Sequence, residues 1–405
     1  MITRFHVKNF KCLRDVTVSL SPFTVLIGKN DTGKTSLLQA IGALGAVVLD
    51  PVIARRLPVV DLITRGAKDP IEWQVGFSPI PACRIPGDST YSLTMCEGAG
   101  VRFGEERFLS DTMKAIRSAN PGRREFNQTL EDGGPGRNHS PDDDSPLLSR
   151  FSDHQLRQLY PRLGAFSRWL SSVRYFRLDP KMLEQPSGSR GEKPSPAGRD
   201  LSEDGYGLPE VLDHLLSMDR ESFDQLEHSL LHAVPNALGI QLPYWTGSNN
   251  ESGKEILISL RENLPAIPLR EASDGIKYML AVLALVHSRT PPAILLLEEP
   301  ENGIHPHQLE RIVTLLRSLG GERAGRMPTQ VIVTTHSPYM LDFATPEEVC
   351  VFGRKPNGDS VVARLSELPM ARRRMETGLS PGETWYNVGE DRLLQEVLDA
   401  NAPRQ

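Results

Sequence analysis

The string Gly28-Lys29-Asn30-Asp31-Thr32-Gly33-Lys34-Thr35 constrains this chain more than any other feature. It follows the apolar run Phe23-Thr24-Val25-Leu26-Ile27 and precedes Lys34 to Gly42, where Leu37, Leu38 and Ile41 fall on one side of an expected helix. Gly28 and Gly33 let the backbone curl so that successive N–H groups face one anion, and the helix start adds its positive dipole end. Strand, glycine-rich loop and helix in this order are the setting a phosphate-binding loop requires. Lys34 is placed to bridge terminal phosphates and Thr35 to coordinate Mg²⁺ through its hydroxyl. Asn30, Asp31, Thr32 and Ser36 complete the expected phosphate contacts.

Two later strand ends carry polar groups that a purely structural strand would not need. In Ile294-Leu295-Leu296-Leu297-Glu298-Glu299-Pro300 an apolar run delivers two adjacent carboxylates, and desolvating unpaired charge is costly. A metal and a water supply a reason: Glu298 would support the Mg²⁺ shell and Glu299 would polarise an attacking water. Val331-Ile332-Val333-Thr334-Thr335-His336-Ser337-Pro338 likewise ends in His336, which can hydrogen-bond a terminal phosphate. Ser273-Asp274-Gly275 precedes a helix from Ile276 and offers hydroxyl and N–H groups to an anion, although alone it reads as an ordinary helix cap.

Between these motifs the periodicity changes several times. Ile2 to Phe10 and Val16 to Leu20 alternate as strands, and 71–77, 91–95 and 101–103 read as an antiparallel meander. Residues 131–146 have almost nothing to bury and are expected to form a mobile loop. Helix is expected at 151–171, a short strand at 173–176, and two consecutive amphipathic helices over 208–235. Ile256 to Leu260 reads as a strand and Ile276 to His287 as a largely buried helix. A further helix is expected at 306–319, then a hairpin from Val349–Phe352 and Val361–Leu365. Ala293 to Leu297 is apolar enough to be central in a parallel sheet. The motifs bracket the chain, so its two ends must meet in space.

Charge and cysteine usage narrow the setting. Lys plus Arg number 46 against 51 Asp plus Glu, a net charge of -5, so DNA contact is not indicated by overall charge and would need a local patch. Cys12, Cys83, Cys96 and Cys350 are scattered, which suits reduced thiols and a cytoplasmic location. The longest apolar runs fall far short of the roughly 20 residues that cross a bilayer, so no direct membrane insertion is expected.

Taken in order, Val7–Lys11, Gly28–Ser36, Glu271–Gly275, Leu295–Pro306 and Thr334–Pro338 resemble the ABC-type ATPases of the RecF/SMC/OLD group, especially the stand-alone SMC-like members of the AAA family. The resemblance implies an α/β fold: a P-loop NTPase with an ABC-ATPase-like head, an antiparallel β subdomain and a helical insertion. It divides the chain into 1–125 with Walker A and the meander, 126–250 as the helical insertion with flexible loops, and 251–405 with the signature, Walker B and His switch. It implies ATP and Mg²⁺ as cofactors. Asn9, Phe10 and Lys11 would then pack near the adenine, and Gln74 is the candidate for the Mg²⁺-sensing glutamine. Ser273, Asp274 and Gly275 would contact the γ-phosphate held by a second copy, so that two heads sandwich two ATP molecules and Gly303–Pro306 crosses their interface.

On this resemblance, Lys34, Glu299 and His336 carry ATP hydrolysis in a head-to-head dimer that gates a partner effector or nuclease in bacterial anti-phage defence. The alternative is a RecF-like repair or recombination ATPase that clamps DNA. That reading needs a basic face, and Arg55-Arg56, Arg123-Arg124, Arg174 with Arg177, and Arg372-Arg373-Arg374 read first as solvated positions. OLD nucleases continue into a Toprim domain, and the acidic residues after His336 form no recognisable nuclease cluster.

Overall fold

The structure is a computed structural model and describes residues 1–97, 101–117, 124–128, 145–188, 201–234, 236–247, 252–260, 264–288, 290–321 and 327–401. The expected mobile loop at 131–146 falls outside these residues up to 144, as does Arg123.

Two sheets organise the chain. One is antiparallel and seven-stranded, in the order Leu13–Ser19, Ile2–Phe10, Ile71–Phe77, Ser89–Glu97, Val101–Ser110, Met113–Arg117 and Arg124–Gln128. The other has six strands, in the order Ser360–Arg364, Val349–Arg354, Phe23–Ile27, Gln330–Thr335, Ile294–Glu298 and Val173–Phe176. All neighbours in this second sheet are parallel except the hairpin of Val349–Arg354 with Ser360–Arg364.

Side-chain alternation explains how the parallel sheet holds both halves of the molecule together. Val25, Ile27, Leu295, Leu297, Val331, Val333, Val349 and Val351 face one core, which is closed by helices including Leu208–Met218, Arg220–Ala233, Asp274–Val286 and Pro306–Ser318. Leu26, Ile294, Leu296, Ile332, Cys350 and Phe352 face the other core. There the helices Lys34–Leu49 and Pro161–Ser171 fill the space beneath the antiparallel sheet. Trp73 on that sheet is wholly buried and donates its indole N–H to the Ala40 carbonyl at 3.1 Å, tying sheet to helix.

Several expectations change in detail. The helix after the loop continues past Gly42 to Leu49, and Val173 packs against it at Gly45, where a Cβ would sit 2.9 Å from the valine Cγ2. The helical stretch at 151–171 is broken into Leu148–Ser152, His154–Leu159 and Pro161–Ser171. Pro161 has no N–H to continue a helix and begins a new one. Within the span expected as an insertion, Val173–Phe176 pairs in parallel with Ile294–Leu297 and so belongs to the central sheet. The meander and the first two strands, read separately, are one sheet, since Ile2–Phe10 pairs with Ile71–Phe77. Gly239–Gln241, Tyr244–Thr246, Ser252–Lys254 and Ile267–Pro268 add short strands that alternation over so few residues could not signal.

Candidate active site

Parallel strands bring their carboxyl ends to one edge of a sheet, which is where open α/β sheets bind ligands. Here five neighbouring strand ends supply Gly28 after Ile27, Glu298 and Glu299, Thr335 followed by His336, Arg177 just after Phe176, and Arg354. A cavity of about 810 Å³ opens at this edge. It is lined by Lys11, Cys12, Asn30, Asp31, Thr32, Gly33, Lys34, Thr35, Ser36, Gln39, Arg177, Glu298, Glu299, Thr334, His336 and Arg354.

The loop is shaped for an anion. Gly33 precedes the helix with φ at 108°, and a Cβ there would lie 2.5 Å from the Ser360 hydroxyl, so glycine is required by conformation and by space. Asp31 holds φ at 62°, a left-handed conformation costly for an L-residue. Lys34 is buried, and its ammonium donates to the carbonyls of Gly28 at 2.7 Å and Lys29 at 2.8 Å. Burial lowers its pKa to about 8, against the opposing pull of Glu299, Glu390, Glu298 and Asp31. Lys29 pairs with Asp391 at the start of the helix Glu390–Ala400, so the loop also touches the C-terminal part of the chain.

Glu298 and Glu299 differ in environment. The Glu298 side chain is 7% exposed and lies 3.5 Å from the Arg177 guanidinium through Oε2, while its Oε1 is buried without a hydrogen-bond partner among the described residues. An orphaned carboxyl oxygen on a residue that lines the cavity fits a cation, and Thr35 lines the same cavity. Tyr175 stands beside Glu298 and Gln39, and burial followed by the carboxylate charge pushes its phenol pKa up. Glu299 sits at φ 44°, held by its own N–H donating to the Thr334 carbonyl at 3.0 Å. Its Oε2 accepts from Asn302 at 2.8 Å and its Oε1 lies 3.4 Å from His336 Nε2. Burial, then the Lys34 charge, lowers the His336 pKa from its ordinary 6.5, which leaves a neutral imidazole at pH 7.

The structure thus brings Lys11, Asn30, Asp31, Thr32, Gly33, Lys34, Thr35, Ser36, Glu298, Glu299 and His336 to one cavity. Gly28 contributes its carbonyl to Lys34. Asn9 and Phe10 do not line it. Phe10 is wholly buried, with its ring 6.3 Å from that of Trp73, and Asn9 donates its amide to the Pro70 carbonyl at 3.0 Å. The expected adenine contact through Phe10 is therefore corrected: that ring fills the core, and of the three residues only Lys11 reaches the cavity. Gln74 is exposed on the antiparallel sheet opposite His6, whereas Gln39 lines the cavity and accepts from Lys11 Nζ at 2.6 Å. Ser273, Asp274 and Gly275 also lie outside the cavity. Ser273 and Asp274 are exposed, and the Ser273 side chain makes no capping bond to the helix it precedes. Gly275 abuts the loop after the paired carboxylates, since a Cβ on it would be 2.8 Å from the Gly303 carbonyl.

Sequence reasoning missed Cys12, Gln39, Arg177, Thr334 and Arg354 as cavity residues. Arg177 was visible only as a basic residue. Its place follows from the parallel pairing of Val173–Phe176, which the sequence does not announce.

The profile of the family described as "AAA domain, putative AbiEii toxin, Type IV TA system" matches residues 23–342. The OLD nuclease of Thermus scotoductus is 25% identical over 398 residues, which cover 93% of this chain and 68% of that protein. The DNA double-strand break repair Rad50 ATPase of Halobacterium salinarum is 42% identical over 69 residues, 16% of this chain and 7% of that one. Among solved structures, an SMC head bound to the C-winged helix domain of ScpA superposes with a TM-score of 0.52 at 14% identity. The match covers 90% of this chain and 99% of that one. At that identity the likeness concerns the fold, a P-loop ATPase head with antiparallel sheets and helical insertions.

Proposed function

The chain belongs to this AAA-domain family, as a nucleotide-hydrolysing ATPase related to defence-associated and SMC-family proteins, and from that premise we propose that two copies close on two ATP molecules and gate a partner effector in bacterial anti-phage defence. The observation that carries the reading is spatial. Lys34, Glu298, Glu299 and His336 line one cavity, while Ser273-Asp274-Gly275 stands outside it, with Ser273 and Asp274 exposed and the serine hydroxyl making no capping bond. A second copy is the natural recipient of that tripeptide.

In this reading Lys34 exchanges the carbonyls of Gly28 and Lys29 for the terminal phosphates. Thr35 and Glu298 Oε1 would hold Mg²⁺, which supplies charge neutralisation on those phosphates when bound. Glu299 polarises the attacking water, and neutral His336 donates a hydrogen bond toward the γ-phosphate position. Positioning and electrostatics supply the catalysis. The effector is proposed as a separate protein, and the link to a toxin or nuclease activity follows the toxin description of the family and the name of the OLD relative.

Mass measurement of Glu299→Gln with and without ATP and Mg²⁺ tests the assembly. Dimer formation that requires nucleotide supports the reading, and an unchanged mass at saturating ATP contradicts it. The alternative, a repair ATPase that clamps DNA, predicts duplex binding that strengthens with ATP and weakens steeply with salt.

A further inference from the structure

We propose that Glu301 is a positioning residue for hydrolysis, acting through His336. It lies in the loop after Ile294–Glu298, beside the end of the adjacent strand Gln330–Thr335. Its Oε1 accepts from the Thr335 hydroxyl and from the His336 backbone N–H, the latter at 3.2 Å. The Thr335 hydroxyl in turn accepts the Ser337 N–H at 2.9 Å. One carboxylate oxygen therefore fixes three successive residues of the turn that presents the imidazole. On the other side of the same histidine, Glu299 lies 3.4 Å from the ring nitrogen. His336 is held from behind by one carboxyl and faced by another.

A purely structural tie does not explain the residue chosen. The Oε2 of Glu301 is buried with no hydrogen-bond partner among the described residues, an arrangement costly in a region with no task beyond packing. The turn it braces is anchored at its ends, by the sheet pairing of Thr335 with Ile27 and by the Ser337 carbonyl accepting the Met340 N–H at 3.1 Å, and Glu301 is the side chain that ties its middle residue. His336 itself is 40% exposed, and its ring contact to Glu299 is longer than a hydrogen bond. Without Glu301 the Thr335 hydroxyl and the His336 N–H lose their common acceptor, and the imidazole loses its fixed height above the phosphate cavity. Displacements of about 1 Å at a catalytic group cost on the order of a hundredfold in rate.

The inference rests on the ATPase reading, and a double-mutant cycle in the full-length chain separates the two. Glu301→Ala is expected to lower kcat by at least about tenfold with ATP affinity, measured by a fluorescent ATP analogue, changed less than about threefold. Glu301→Gln keeps an acceptor oxygen and is expected to recover most of the loss. In the His336→Ala background, Glu301→Ala is expected to cost almost nothing more. Full loss again in that background, or equal kcat for Glu301→Ala and the parent, overturns the positioning role. Unchanged kcat in His336→Ala alone overturns the ATPase reading of His336 instead. Circular dichroism melting of each variant identifies unfolding, and should Glu301→Ala unfold, Thr335→Val removes the same hydroxyl link and takes its place in the cycle.

Discussion

Buried beneath the loop, Lys34 has a pKa near 8 against an ordinary 10.5, and the cause is chiefly desolvation. Between those two values the unfolded chain keeps a proton that the folded, nucleotide-free chain has released, so this group makes the free protein more stable as pH rises through the window. Nucleotide binding has the opposite sign. Phosphates favour the ammonium, so binding takes up a proton once pH exceeds about 8. ATP affinity is expected to fall by up to about tenfold per pH unit from 8 toward 10, as titration calorimetry would read. A flat profile there, in the parent chain, would contradict the proposed exchange of loop carbonyls for phosphate. The loop, both carboxylates and His336 were all legible in the sequence, because each is a short polar string ending an apolar run. Phe10 was misplaced for a physical reason: an aromatic residue beside a nucleotide loop can stack on a base or fill a core, and alternation along Ile2–Phe10 does not distinguish the two.

Strand and helix identities were mostly readable, since apolar runs such as Leu295–Leu297 and Val331–Val333 fill both faces of a parallel sheet. Partnering was not. The pairing of Val173–Phe176 with the carboxylate strand depends on Gly45 admitting Val173, a contact between distant segments. A similar long-range joint fastens the antiparallel sheet to the helices beneath it. Glu106, 1% exposed, accepts from the Tyr91 hydroxyl at 2.9 Å, from the Leu148 N–H at 3.0 Å and from the Leu147 N–H. Replacing it with alanine strands three buried donors and is expected to destabilise the fold by roughly 3 kcal/mol or more. Urea denaturation measures this, and a midpoint equal to the parent's would remove Glu106 from the joint. Because Glu106 does not line the cavity, ATP affinity of the still-folded variant is expected to stay near the parent's.

At the level of the assembled protein, the six-stranded sheet joins residues near both ends of the chain into one cavity, yet leaves Ser273 and Asp274 exposed outside it. Gly275 and Gly303 pack against each other, so the tripeptide and the loop after the carboxylates would meet a partner as one surface. No helix among the described residues is long and apolar enough to cross a membrane. A composite site makes a demand that a self-sufficient one does not: two copies, each broken in a different half, should repair each other. Ser273→Arg spoils only the surface offered to a partner, because that side chain makes no capping bond, and Glu299→Gln spoils only the receiving cavity. The decisive measurement is phosphate release from an equimolar mixture of these two variants, compared with each alone. Two intact halves meeting across a dimer predict a rate well above the sum of the separate rates, whereas a mixture no faster than that sum would contradict the shared site.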